Sequence, residues 1–154
     1  MNFITITGKG NPNTSNLFQE AIDSLYKVSY SIKMNQKKGK TIEGYFEYVV
    51  PPLEGLWWIN GEEFNLSDKN KFEWKLMIMQ PEFVNKEIVK SAIDFTHNTK
   101  GIVSIEDINF ESYDEGLSVQ ILHIGSYDAE KDTINSMKEF IKKNDLIKNG
   151  LHHE

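Results

Sequence analysis

Residues 44–58 read Gly-Tyr-Phe-Glu-Tyr-Val-Val-Pro-Pro-Leu-Glu-Gly-Leu-Trp-Trp, which sets Tyr45, Phe46, Tyr48, Trp57 and Trp58 with Glu47 and Glu54 around a Pro-Pro corner. Aromatic walls bind flat apolar molecules, and a carboxylate among them can meet a cation or orient a water, so this is the chemistry of a pocket for a planar ligand. On a strand, the period-two alternation puts Glu47 on one face with Tyr45 and Val49, and Phe46, Tyr48 and Val50 on the other. Two readings of Glu47 follow: an edge-strand acid reaching solvent, or a pocket anion, since a buried carboxylate without partners is costly. Adjacent tryptophans cannot face the same way, so one of Trp57 and Trp58 is expected in the core. The other should face a cleft, where stacking on a planar ligand adds roughly 0.5–1.5 kcal/mol beyond area burial. Trp74 is open to the same two readings, core or ligand wall.

His123 precedes Ile124-Gly125-Ser126-Tyr127. It is either a satisfied structural histidine or a hydrogen-bonding group near a ligand, with Gly125 serving the turn. No metal is expected, because His123, His152 and His153 show no recognisable ligand spacing and the adjacent pair points to opposite faces of any strand. No cofactor is expected either: there is no phosphate loop, no nucleophile elbow and no dinucleotide glycine pattern.

These side chains need elements to hold them. Residues 3–7 alternate, are β-branched and stop at Gly8-Lys9-Gly10-Asn11-Pro12, which predicts a strand into a turn. From about Ser15, Phe18, Ala21, Ile22, Leu25, Val28 and Ile32 recur at spacings of three and four, the stripe of a helix of roughly five turns. Strands are predicted at 44–50 and 73–79, with a polar loop over 61–71 between them. Pro81 ends the second, and Asn85 caps a helix with Ile88, Val89, Ala92 and Ile93 inward. Residues 117–124 are the most sheet-like part of the second half. They lead to a helix with Ile134, Met137, Phe140 and Ile141 inward, after which 151–154 begin a strand. The halves repeat one plan, with Tyr45-Phe46-Glu47 matching His152-His153-Glu154.

A chain of 154 residues with 39% hydrophobic content is ordinary for one soluble globular domain. Its apolar runs fall far short of the roughly 18 residues of a membrane span and no secretory signal precedes the first strand, so the cytoplasm is the expected address and no membrane the expected setting. The absence of cysteine removes disulfides, thiol catalysis and cysteine-zinc sites. A net charge of −6 with lysine as the only strong base argues against direct nucleic-acid contact, since the bidentate guanidinium fork is missing. Lys33, Lys37, Lys38 and Lys40 read as cations at a helix C-terminus.

Three motifs in order, the 44–58 segment, Phe72-Glu73-Trp74-Lys75-Leu76-Met77-Ile78-Met79-Gln80-Pro81 and Leu117-Ser118-Val119-Gln120-Ile121-Leu122-His123-Ile124-Gly125-Ser126-Tyr127, make the chain resemble the GyrI-like (gyrase-inhibitor-like) small-molecule-binding proteins. The resemblance implies an α+β fold, one domain over 1–154. Two pseudo-symmetric strand-helix-strand-strand modules would form an antiparallel sheet, with helices on one face and a ligand cleft between the modules. Residues 1–82 would be the first module, 83–115 a connecting helix and loop, and 116–154 a second module cut short against the family plan. The resemblance also singles out Glu154, since in such pockets, and in the related effector domains of multidrug-responsive bacterial transcription regulators, a glutamate on the matching strand lies at the base of the drug site. A charged residue at a frayed terminus is the bland alternative.

Stand-alone members that resemble this chain are associated with hydrating the cyclopropane ring of cyclopropanoid DNA-alkylating toxins, an activity of toxin resistance. On that reading Glu154 is the leading base, Glu47 the second candidate, and Tyr127 or Tyr45 the donor to the developing oxyanion. Tyr48, Trp57, Trp58, Trp74 and His123 line the ligand. The alternative is a multidrug sensor or sequestering module without turnover, and binding to DNA gyrase is a weaker third reading. The partners expected are planar hydrophobic small molecules; oligomeric state is left open.

Overall fold

Two stripes of large apolar residues, one on a helix and one on three adjacent strands, decide the architecture. A computed structural model describes residues 1–35, 42–100, 107–126 and 129–154. The elements are β1 (Asn2–Lys9), α1 (Asn16–Asn35), β2 (Leu53–Ile59), β3 (Phe72–Gln80), α2 (Lys86–Lys100), β4 (Asn109–Ser112), α3 (Lys131–Lys143) and β5 (His152–His153). The strands form one sheet in the order β4-β1-β3-β2-β5, every neighbouring pair antiparallel. This is the expected α+β class. The pseudo-symmetric pairing of two modules is not visible in it, although β1-α1-β2-β3 does follow the strand-helix-strand-strand order.

The α1 stripe forms as its spacing predicts. Ser15 caps the helix through its Oγ, which accepts from the Phe18 amide at 3.3 Å. Ala21, Leu25, Val28 and Ile32 are wholly buried, and Lys33 in the last turn faces the negative end of the helix dipole. Lys37, Lys38 and Lys40 lie outside the described residues. Asn85 caps α2 as expected, its Oδ1 accepting from the Ile88 amide at 3.0 Å. Pro81 follows the last residue of β3. No helix among the described residues is long and apolar enough to cross a membrane.

The sheet sends alternate side chains to two faces. Ile4 and Ile6 of β1, Trp57 and Ile59 of β2, and Phe72, Trp74, Leu76 and Ile78 of β3 form the main core with α1 and α2. On the other face a smaller cluster joins Phe3, Leu56 and Met77 with Met79 and Tyr113. Beside it, Glu111 accepts from the Thr5 hydroxyl at 2.7 Å and pairs with Lys75 at 2.9 Å. Burial pushes the Glu111 carboxyl up, but those two hydrogen bonds and the Lys75 charge outweigh it, and the group sits below the ordinary carboxylate value.

Three predicted elements differ. The strand expected at 44–50 is irregular, and the edge of β3 goes instead to β2. Both segments are rich in β-formers, but only 53–59 places Leu53, Trp57 and Ile59 on the core face opposite Ile78, Trp74 and Phe72. Tyr45, Phe46 and Tyr48 gather around Phe83 with ring centroids 5.3, 5.5 and 5.9 Å from it. Residues 117–124 pair with no strand among the described residues, and Leu117, Leu122 and Ile124 are exposed. High β-propensity expresses a fit to a partner strand and a half-buried face, and neither is supplied there. The helix α3 forms, yet it has no buried residue; Ile134, Met137 and Ile141 are half-covered and Phe140 is exposed.

One close approach in the core demands glycine. Gly8 lies opposite Trp74 across the β1–β3 ladder, and a Cβ added at Gly8 would sit 2.3 to 2.8 Å from three carbons of that indole. Trp74 cannot yield, because Phe18 meets it edge-on at 5.1 Å and it is fully enclosed. Gly8→Ala should therefore destabilise the fold by about 1–3 kcal/mol through overpacking. Urea unfolding followed by tryptophan fluorescence measures this, and a midpoint equal to that of the parent protein would contradict the assignment.

Candidate functional site

The edge strand β5 carries the side chains with the richest chemistry, and its register decides where each one goes. The Gly55 amide donates to the Glu154 carbonyl at 2.8 Å and the Glu154 amide donates to the Gly55 carbonyl at 2.9 Å. Residue 153 then stands opposite Leu56 and residue 152 opposite Trp57. His152 and Glu154 thus share the face of Trp57, and His153 takes the opposite face, as alternation requires.

On the Trp57 face, the ring of His152 stacks on Phe64 at 4.9 Å and its Nε2 meets Glu154 Oε1 at 3.0 Å. Glu130, the residue before α3, reaches the same place. One oxygen from each of the two carboxyl groups and one ring nitrogen of His152 lie within 4.8 Å of one another. That spacing lets one proton, or one small cation, sit among them. Glu130 is only 7% exposed, and its Oε2 has no hydrogen-bond partner among the described residues. Burial raises the Glu130 carboxyl above its ordinary value; Glu154 raises it further by charge and hydrogen bonding, while His123 and His152 pull the other way.

The inward turn of Glu130 is not legible in the sequence. An acid just before a helix is expected to cap it or to complement its dipole, and nothing local distinguishes one that turns inward. The only signal was its closeness to the His123 to Tyr127 motif.

His123 ties that motif to α3. Its Nε2 lies 3.0 Å from the Ser126 carbonyl, which can only accept, so Nε2 carries a proton; Nδ1 lies 2.9 Å from the Thr133 hydroxyl. Gly125 has φ +147°, and a Cβ there would come within 3.4 Å of the His123 ring, so the turn that presents this histidine favours glycine. Tyr127 lies outside the described residues.

The remaining residues singled out in the sequence divide between the site, the core and the surface. Trp57 is buried, its indole nitrogen unpartnered among the described residues and 2.9 Å from where a Gly55 Cβ would be. An unused donor therefore lies beside the backbone that holds Glu154. Trp58 projects to the other face and donates from Nε1 to Glu73 at 2.8 Å. The two tryptophans point to opposite faces, as alternation requires, but Trp58 meets Glu73 on the face away from Glu154. Trp74 is fully enclosed in the core, with no ring face left to a ligand.

Glu47 is exposed and is not a member of the Glu130, His152 and Glu154 group. Its neighbour is Tyr45, whose phenol is raised by burial and then by the charge and hydrogen bond of Glu47. Tyr48 is pushed up to about 12 by burial and by Tyr45; its hydroxyl is buried without a partner among the described residues, and Lys33 Nζ lies 5.7 Å over its ring. Tyr45, Phe46, Tyr48 and Phe83 thus form an aromatic cluster, held by side-chain packing rather than by a strand.

Comparison with known proteins adds context to this geometry. The sequence profile of the GyrI-like small molecule binding domain matches residues 1–154. Among solved structures, a hydrolase from Listeria innocua is 30% identical with a TM-score of 0.85, over 99% of this chain and 78% of that one. A hydrolase encoded by lin2189 from Listeria innocua is 33% identical with a TM-score of 0.91, over 99% and 76% of the two chains. An uncharacterized conserved protein from Listeria innocua is 34% identical with a TM-score of 0.90, over the same shares, 99% and 76%. No curated protein matches.

The opposite face of β5 yields a test by pH. His153 Nε2 lies 3.1 Å from Glu54 Oε2 and Nδ1 lies 3.0 Å from Glu115 Oε1, so both nitrogens donate only in the imidazolium form. The Glu54 hydrogen bond, against some burial and with help from Glu115, raises its pKa above the ordinary 6.5. A raised base stabilises fully below its unfolded pKa, and that contribution fades as pH rises through the folded value. His153→Ala should cost roughly 1 kcal/mol at pH 6, after allowance for partial exposure, and distinctly less at pH 9. Chemical denaturation at the two pH values checks this; an equal cost at both would rule out the charged bridge.

Proposed function

This chain belongs to the GyrI-like small-molecule-binding domain family, and from that premise we propose that it binds flat hydrophobic compounds and hydrolyses cyclopropanoid DNA-alkylating toxins. The observation that carries the reading is the Glu154 carboxylate, held through its backbone by Gly55, hydrogen-bonded to His152 and backed by Glu130. The two Listeria neighbours described as hydrolases support turnover rather than binding alone.

In the proposed reaction Glu154 takes a proton from water as the water oxygen bonds to the strained ring carbon. The carbon–carbon bond that breaks sends its electron pair into the conjugated carbonyl, whose oxygen becomes a phenolate and is then protonated. The sum is addition of one water, with no change of oxidation state for the protein. General-base assistance of this kind is worth about 10²–10⁴-fold. A donor must meet the developing oxyanion. Tyr45 and Tyr127 are the candidates for that task. Glu47 is the second candidate base, Tyr48 and Trp57 are candidate aromatic walls, and His123 is a candidate hydrogen-bonding group. Trp58 would serve only a ligand on the opposite face.

A second reading keeps the pocket and removes the chemistry: a multidrug-sensing or sequestering module whose carboxylates answer the charge of lipophilic cations. The closeness of two carboxyl groups favours it to that extent.

Incubation of a cyclopropanoid toxin with sub-stoichiometric protein, followed by mass spectrometry, separates the two. The expected result is many equivalents of ring-opened hydrate per protein, with Glu154→Gln slower by about 10²–10⁴-fold. Product no greater than in buffer would reject the enzyme; full activity in Glu154→Gln would reject the base.

A further inference from the structure

The Glu130 carbonyl accepts from the Ile134 amide at 2.9 Å, as its place before a helix requires, but its side chain does not do what that place suggests. It precedes the first residue of α3, yet its side chain forms no cap hydrogen bond. It is turned instead into the cluster with His152 and Glu154, nine-tenths covered, with one oxygen lacking any partner among the described residues. A buried carboxylate oxygen left without a donor is destabilising, like any unsatisfied buried polar group, and a second carboxylate alongside adds repulsion. Among the described residues, the charged groups that act on Glu130 are Glu154 and His152 from the β5 edge and His123 from the segment before α3, and none of these is a lysine.

We infer that Glu130 is the proton-holding partner of Glu154, a neutral carboxyl that donates to the neighbouring carboxylate and fixes its direction. One proton on Glu130 then removes the like-charge contact and leaves the pair with a single negative charge. Both the burial and the Glu154 charge hold the Glu130 proton in place. The inference rests on the reading of Glu154 as the base and gives that base a positioning residue. It also bears on the ligand: a pair with one charge receives a neutral electrophile without rearrangement, whereas a lipophilic cation would favour loss of the Glu130 proton on binding.

The proton is measured without any substrate. Carboxyl-carbon NMR of the full chain labelled at glutamate Cδ, with the Glu130 resonance assigned as the one lost in Glu130→Gln, should give a midpoint well above the usual carboxylate value of about 4.3. Glu154→Gln should shift that midpoint downward. A Glu130 midpoint at or below the usual value, or one indifferent to Glu154→Gln, overturns the inference whatever the protein catalyses.

Turnover gives the second readout. Glu130→Gln, which keeps a neutral donor, should retain rates within a few-fold and lose the decline at high pH that deprotonation of Glu130 imposes on the parent. Glu130→Ala should be slower by about 10- to 100-fold, as for a misplaced catalytic group. Equal loss in both variants would mean a merely structural role and overturn the positioning part. A raised, Glu154-sensitive midpoint in a protein that turns over no cyclopropanoid would uphold the proton and reject the hydrolase.

Discussion

Two backbone hydrogen bonds between Gly55 and Glu154, at 2.8 and 2.9 Å, decide what this protein can present at the edge of its sheet. They set the register of β5 against β2, and with a side-chain period of two a slip of one residue would exchange the faces of His152, His153 and Glu154 together. Glycine at the pairing position matters as well. It has no side chain to stand between the indole of Trp57 and the Glu154 backbone, and any Cβ there would press on the indole nitrogen. The core residue and the candidate base are thus held by the same short stretch of β2.

The register gives the two faces opposite electrostatics. On one, the His153 ring bridges Glu54 and Glu115, so a cation meets two acids and every ring nitrogen has a partner. On the other, two acids crowd a histidine that can donate to one of them, and an oxygen of Glu130 is left over. A satisfied bridge resists change and suits a structural tie. The unsatisfied cluster holds its groups at a cost, which is the condition under which side chains take or release protons at a functional site.

Much of the frame could be read from the chain. The α1 stripe, its Ser15 cap, the Asn85 cap of α2, the stop at Pro81 and the opposite directions of Trp57 and Trp58 all follow from local chemistry and periodicity, and all are present. The strand expected at 44–50 is absent for a reason that is equally physical. Tyr45, Phe46 and Tyr48 have the propensities of a strand, but one edge of β3 was available and Leu53, Trp57 and Ile59 filled the core opposite it better. Residues 117–124 show the same limit, since a strand-like sequence becomes a strand only when a partner edge and a buried face exist for it.

The sequence by itself determined the helices, the opposed directions of neighbouring residues on a strand and the family to which the chain belongs, because each of these is carried by residues close together in the chain. Only the tertiary structure decided that Glu130, 24 residues from Glu154 by their numbers, would share its surroundings, or that Gly55 would be the residue holding that glutamate in place. The physical reason is that a carboxyl group's charge state and direction depend on which distant groups desolvate it, repel it or donate to it. That information is fixed by the register of two strands and the approach of one helix end, and no local pattern encodes it.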